Sequence, residues 1–93
     1  MILSFRCKET EKVWHRRFSK KFPADLQVRA RRKLIALHIA ASLNDLRRPP
    51  SNHLEALKKD RQGQWSIRIN KQWCACFVWA EGNAHDVEIV DYH

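Results

Sequence analysis

Gln64-Trp65-Ser66-Ile67-Arg68-Ile69-Asn70, followed two residues later by Trp73-Cys74-Ala75-Cys76-Phe77-Val78-Trp79, decides the fold of this chain. In the first run apolar and polar residues alternate, the period of a strand with one buried face. Trp65, Ile67 and Ile69 are therefore predicted to face a core, and Ser66, Arg68 and Asn70 to share the other face. The second run is apolar throughout and too short to cross a membrane, so it reads as a central strand buried largely on both faces. The connection near Asn70-Lys71 is tight, which makes the pair antiparallel. Glu81-Gly82-Asn83 supplies the next turn, and His85 to Tyr92 alternates again, with Val87 and Ile89 on one face and Glu88 and Val90 on the other.

Upstream of this meander the period changes. Pro49-Pro50-Ser51-Asn52 is a turn-rich connector. Before it, Leu26, Ala30, Leu34, Leu37 and Ala41 form one apolar stripe at helical spacing, while Arg29, Arg32 and Lys33 fall on other faces. Pro23 suits the first turn of that helix, Asp25 favours its positive end, and Asn44 with the Pro pair closes it. A shorter amphipathic helix is predicted over Lys8–Phe18, with Val13, Trp14 and Phe18 on its apolar side, and Ile2 to Phe5 reads as a brief strand. The sum is an α+β domain spanning residues 1–93: a short N-terminal strand, two helices, then an antiparallel β-meander packed on them.

Composition narrows the class of activity. The 93 residues carry 18 Lys plus Arg against 10 Asp plus Glu, on a chain that is 44% hydrophobic, too apolar for a disordered basic tail. Residues 1–50 hold 13 basic and 4 acidic side chains, residues 51–93 hold 5 and 6. The first half is the electrostatic handle, suited to RNA, DNA, a membrane surface or an acidic protein, with a solvated helical surface as the bland alternative. No apolar run nears the ~20 residues of a membrane span, and the N-terminus is too short for a signal segment, so a cytoplasmic protein is expected. Cys7, Cys74 and Cys76 are an odd set without a disulfide framework.

Asp91-Tyr92-His93 is the densest chemical cluster. A carboxylate, a phenol and an imidazole at a strand end can move protons near neutral pH. Cleavage of RNA by its own 2′-OH needs a base, an acid and cations at the phosphorane, roles open to His93, Asp91, Tyr92, Arg68 and Lys58. The bland reading is a frayed polar terminus. Lys58-Lys59-Asp60-Arg61 is a charged turn; a solvated loop is the default, and a phosphate-facing one the functional alternative. Cys74 and Cys76 share one face of a strand but have neither a second spaced pair nor a clear His partner, so no metal site is expected and buried apolar thiols are. Trp65, Trp73 and Trp79 read as core, with base stacking the minority option. His15, His38, His53 and His85 have no metal-ligand spacing.

Leu46-Arg47-Arg48-Pro49-Pro50-Ser51-Asn52-His53-Leu54-Glu55, Asp60 to Asn70, Gln72-Trp73 and Val87-Glu88-Ile89-Val90-Asp91-Tyr92-His93 resemble the HigB toxins of the RelE/ParE superfamily. The likeness also takes in Ile2 to Phe5 and Arg32-Lys33-Leu34, nearly end to end. It implies the RelE-like microbial RNase fold and a toxin of a type II toxin–antitoxin system. Such a toxin is a ribosome-dependent mRNA endoribonuclease that needs no cofactor and leaves a 2′,3′-cyclic phosphate and a 5′-hydroxyl. Its implied partners are a HigA-type antitoxin, ribosomal RNA and mRNA, with operator DNA reached only through the antitoxin and no membrane. Carried over by position, Asp91, Tyr92, His93, Lys58 and Arg68 match the catalytic set; Arg61, Lys59, Asn70, Arg29, Arg32 and Lys33 are candidates for RNA contact. Two positions depart from the family pattern. Cys74 and Ala75 stand where an arginine and a bulky aliphatic residue are usual, and Lys59 where a glycine is. Losing a phosphate-facing arginine removes about 3 kcal/mol of transition-state stabilisation, on the order of 100-fold in rate. A ParE-like gyrase inhibitor and a weakened toxin acting mainly as antitoxin partner in operon control therefore stay as alternatives.

Overall fold

The computed structural model describes residues 1–91. Helix α1 covers Lys8–Trp14 and α2 covers Ala24–Ile39; after two 3-10 turns come β1 (Glu55–Ala56), β2 (Trp65–Arg68), β3 (Trp73–Ala80) and β4 (Asn83–Asp91). The sheet runs β1-β2-β3-β4, every neighbour antiparallel, so the meander read from the alternation is present with β3 inside it. Both helices pack on one face through Leu26, Ala30, Leu34, Leu37 and Val13, against Ile67, Ala75, Phe77, Val87 and Ile89. Trp65, Trp73 and Trp79 are half-buried around this core, with Trp73 edge-on to Phe22 at 5.4 Å. Thr10 joins α1 to the sheet by accepting from the Ile89 amide at 3.0 Å.

Several boundaries differ from those expected, each for a local reason. The Ile2–Phe5 segment lies parallel to β4 and touches it through two isolated bridges, Ile2 to Ala84 and Phe5 to Val87, not a continuous ladder. A bulge explains the interruption: the β3–β4 register shifts between Cys76 and Val78, and Asp86 takes φ 52°. The first helix stops at Trp14, four residues before Phe18. Arg16 adopts φ 62°, its amide donates to Val13 O at 3.2 Å and that of Arg17 to Lys12 O at 2.8 Å, a Schellman termination with arginine in the left-handed position. Phe18 is consequently 67% exposed and no part of the core. The second helix ends at Ile39, where Ser42 and Asp45 form a capping box that opens a 3-10 turn over Leu43–Arg47. Ala41 is exposed as a result, and Leu46 fills the expected core position. Strand β1 had no alternation to betray it: it is two residues long and exposed, pairing Glu55 with Ser66 and Ala56 with Trp65.

Candidate nucleic-acid interface

Arg68, Cys74 and Val90 are successive register partners across β2, β3 and β4, so their side chains share the sheet face turned away from the helices. That face is less open than the alternation implies. Ser66 is buried there, and so are Cys74 and Cys76, whose sulfurs lie 3.8 Å apart. Contact with Cys76, then burial, push the Cys74 thiol up, so it remains a neutral apolar filler beside Arg68. Among the described residues no group of three or more His, Cys, Asp or Glu side chains could hold a metal ion. Nor is any helix of the described residues long and apolar enough to cross a membrane.

At its end, β2 delivers Arg68 into a groove of about 810 Å³ between α2, the Pro49–His53 turn and the β2–β3 connection. Arg29, Arg32 and Lys33 line one wall; Arg68, Asn70 and Lys71 line the other. Among the described residues no carboxylate contributes to its lining. Five permanent or near-permanent cations facing one cavity repel each other, and an anion relieves that repulsion. Burial, then the charge of Arg29, hold Lys33 below the ordinary lysine pKa. A narrower space of about 50 Å³ continues beside Arg68, reached by His53, Glu55 and Cys74.

The groove brings together residues from separate parts of the chain. The helical basic residues and the sheet arginine occupy one site, although the sequence places them in different halves. Asn70 earns its place partly by shaping the turn: its Oδ1 accepts from the amides of Gln72 and Trp73, each at 2.8 Å. Gln72, also in the groove lining, donates to Asp91 Oδ2 at 3.1 Å and so ties the end of β4 to the groove margin. Tyr92 and His93 lie outside the described residues, and the expected meeting of Arg68 with the terminal imidazole lies there with them.

Lys58, Lys59 and Arg61 are not part of this lining. They form a 3-10 turn over Lys59–Arg61, with Lys58 at its N-cap, and Arg61 reaches across the sheet to Glu88 Oε1 at 3.2 Å and to Gln64 Oε1 at 3.2 Å. Lys59 has φ 57°, a left-handed conformation that explains why glycine is the usual residue there. His53, Lys71 and Gln72 are groove residues that sequence reasoning missed. The turn after Pro49-Pro50 and the β-turn after Asn70 were both legible; what was not is that they face each other across α2.

Comparison with known proteins identifies the family. A family model described as the RelE-like toxin HigB of type II toxin–antitoxin systems matches residues 3–93. Endoribonuclease HigB of Proteus vulgaris is 31% identical over 93 residues, covering all of both chains. Toxin HigB-1 of Vibrio cholerae is 35% identical over 85 residues, 90% of each chain. Among solved structures, a YoeB/ParE toxin from Agrobacterium tumefaciens superposes over the whole of both chains with a TM-score of 0.55 at 19% identity, a likeness of fold. With helices, meander and family match all in register, the chain belongs to the HigB toxins of type II toxin–antitoxin systems, in the RelE-like superfamily.

Proposed function

We propose that this toxin is a metal-independent endoribonuclease that cuts mRNA on the ribosome, with the message seated in the cationic groove. The observation that carries the reading is the cationic lining that joins Arg29, Arg32 and Lys33 of α2 to Arg68 of the sheet. In the proposed reaction the 2′-OH of the message attacks the adjacent phosphorus while a base takes its proton. The bond from phosphorus to O5′ then breaks, and an acid protonates the leaving oxygen. Arg68 neutralises the phosphorane, and proton transfer falls to Asp91, Tyr92 and His93, with Lys58 a further eligible group. The P. vulgaris relative's name, an endoribonuclease, supports the reaction class.

Inducible expression coupled to mapping of mRNA 5′ ends tests this. Codon-phased cuts in wild type that vanish in Arg68→Ala and His93→Ala are expected; intact mRNA with DNA damage signalling would establish the gyrase alternative instead. A second reading, of a weakened nuclease, is favoured by one observation: the neutral, buried Cys74 thiol occupies the cross-strand partner position of Arg68, where the family resemblance places a second guanidinium. Growth that is unaffected by wild type but arrested by Cys74→Arg would bear it out.

The antitoxin, of HigA type in this proposal, is assigned to the other flank of α2 and brings operator DNA with it. Phe18 and Val28 are exposed there, next to Arg16, Arg17 and Arg31. Arg31 Nε is buried without a hydrogen-bond partner in the described residues. An acidic amphipathic segment would cover the apolar row and pair with the guanidinium groups beside it.

A further inference from the structure

Asn52 is the largest polar side chain fully enclosed in the molecule, at 1% exposure. Its Nδ2 donates to the carbonyl oxygens of Leu46 and Arg48, each at 3.1 Å, which uses both of its hydrogens. The amide therefore cannot flip, and Oδ1 is left facing Lys33, a group that can only donate. Lys33 Nζ donates to it across the base of the groove. Through one side chain the turn after α2 is thus tied to a cation on α2 itself, and Lys33 is held between Arg29 and Arg32 on its own helix, His53 on the turn, and Arg68 and Lys71 opposite.

A free lysine in such company would swing toward bulk water, because the charged groove residues among the described residues are all of like sign. Asn52 supplies the only counter-dipole that the described residues offer it. Holding the ammonium in place also removes side-chain entropy before any ligand arrives.

We propose that Asn52 is a positioning residue of the RNA groove, fixing Lys33 where its ammonium meets a backbone phosphate of the bound strand. The inference rests on the groove being the RNA site and is testable separately from it. The probe is a short single-stranded RNA bearing 2′-O-methyl groups, which cannot be cleaved, titrated at several salt concentrations against purified toxin. Lys33→Met should weaken binding roughly tenfold, the scale of one charge-assisted contact. It should also reduce the slope of log affinity against log salt by ~0.7, the value of one phosphate on a single strand. Asn52→Ala should reproduce both changes in the wild-type background and add neither in the Lys33→Met background. A purely structural Asn52 would instead weaken binding by the same factor in both backgrounds and leave the salt slope alone, which overturns the proposal.

Asn52→Ala strands two carbonyls and can unfold the turn, so Lys33→Met, which leaves those bonds intact, is the second line. If it binds with wild-type affinity and slope, the inference is wrong whatever Asn52→Ala does. Arg29→Ala and Arg68→Ala separate the two levels. Should they weaken binding while Lys33→Met does not, only the positioning inference falls; should all three bind as wild type, the groove itself is not the RNA site.

Discussion

Arg68 was legible from its place in an alternating strand, because a charged residue flanked by Ile67 and Ile69 has nowhere to point but away from the core. Lys59 was marked only by the family resemblance, which has glycine there; within the run of four charged residues nothing distinguishes the one that turns left-handed. Its φ of 57° predicts that Lys59→Gly stabilises the protein, by about 0.5–1 kcal/mol in chemical denaturation, without moving the neighbouring Arg61–Glu88 pair. An unchanged or lowered midpoint would show that the turn's geometry depends on the lysine side chain. The cysteines also divide at this scale. Burial works upward on the Cys7 thiol, but the backbone amides of Thr10 and Glu9, Thr10's hydroxyl and the charge of Lys21 outweigh it and leave the pKa below the ordinary value. Cys7 is half-exposed, whereas Cys74 and Cys76 are enclosed. Iodoacetamide under native conditions should label one thiol, identified by peptide mapping as Cys7, with the pair in β3 reacting only after denaturation.

Among the elements, α2 and the strands were predictable because each presents an apolar face over several periods. Helix α1 was legible in place but not in length, since a Schellman ending built on Arg16 carries no glycine to announce it. The connection from α1 to α2 is held by polar groups that no hydrophobic pattern reveals. Buried Ser19 donates to Glu9 Oε1 at 2.6 Å, and Gln27 of α2 closes the turn by donating to the carbonyls of Ser19 and Phe22, each at 2.8 Å. The Ser19 hydroxyl, then Lys12, hold the Glu9 carboxyl below the usual glutamate value. A depressed carboxylate pKa contributes stability that is present above the unfolded-state value and is lost as pH falls through the folded one. Melting temperature should therefore decline between about pH 5 and pH 3, and Glu9→Gln should flatten that decline while lowering stability at neutral pH. A variant whose acid limb matches wild type would place the acid sensitivity elsewhere.

For the whole molecule, the decisive fact is that α2 serves three directions at once. Leu26, Ala30, Leu34 and Leu37 face the sheet; Arg29, Arg32 and Lys33 face the groove; Val28 and Arg31 face outward beside Phe18. At 100° per residue these sets occupy separate arcs of one helix. The charge count of the first half could not have separated them, because both flanks are basic. If the flanks bind different partners, their mutations must dissociate. Arg29→Ala or Arg68→Ala should weaken RNA binding and blunt growth arrest while leaving antitoxin affinity within about twofold, since neither side chain lines the outer flank and a single exposed charge contributes little. Phe18→Glu should do the reverse: about a hundredfold loss of antitoxin affinity, from a lost apolar anchor and a new like-charge contact with an acidic partner, with RNA binding intact. Inside cells the second class then arrests growth even when antitoxin is co-expressed, and the first class fails to arrest it even alone. Co-purification and growth curves measured on the same variants decide the matter. If Phe18→Glu remains fully neutralised by antitoxin, the outer flank of α2 is not the docking face and its exposed apolar row has another occupant.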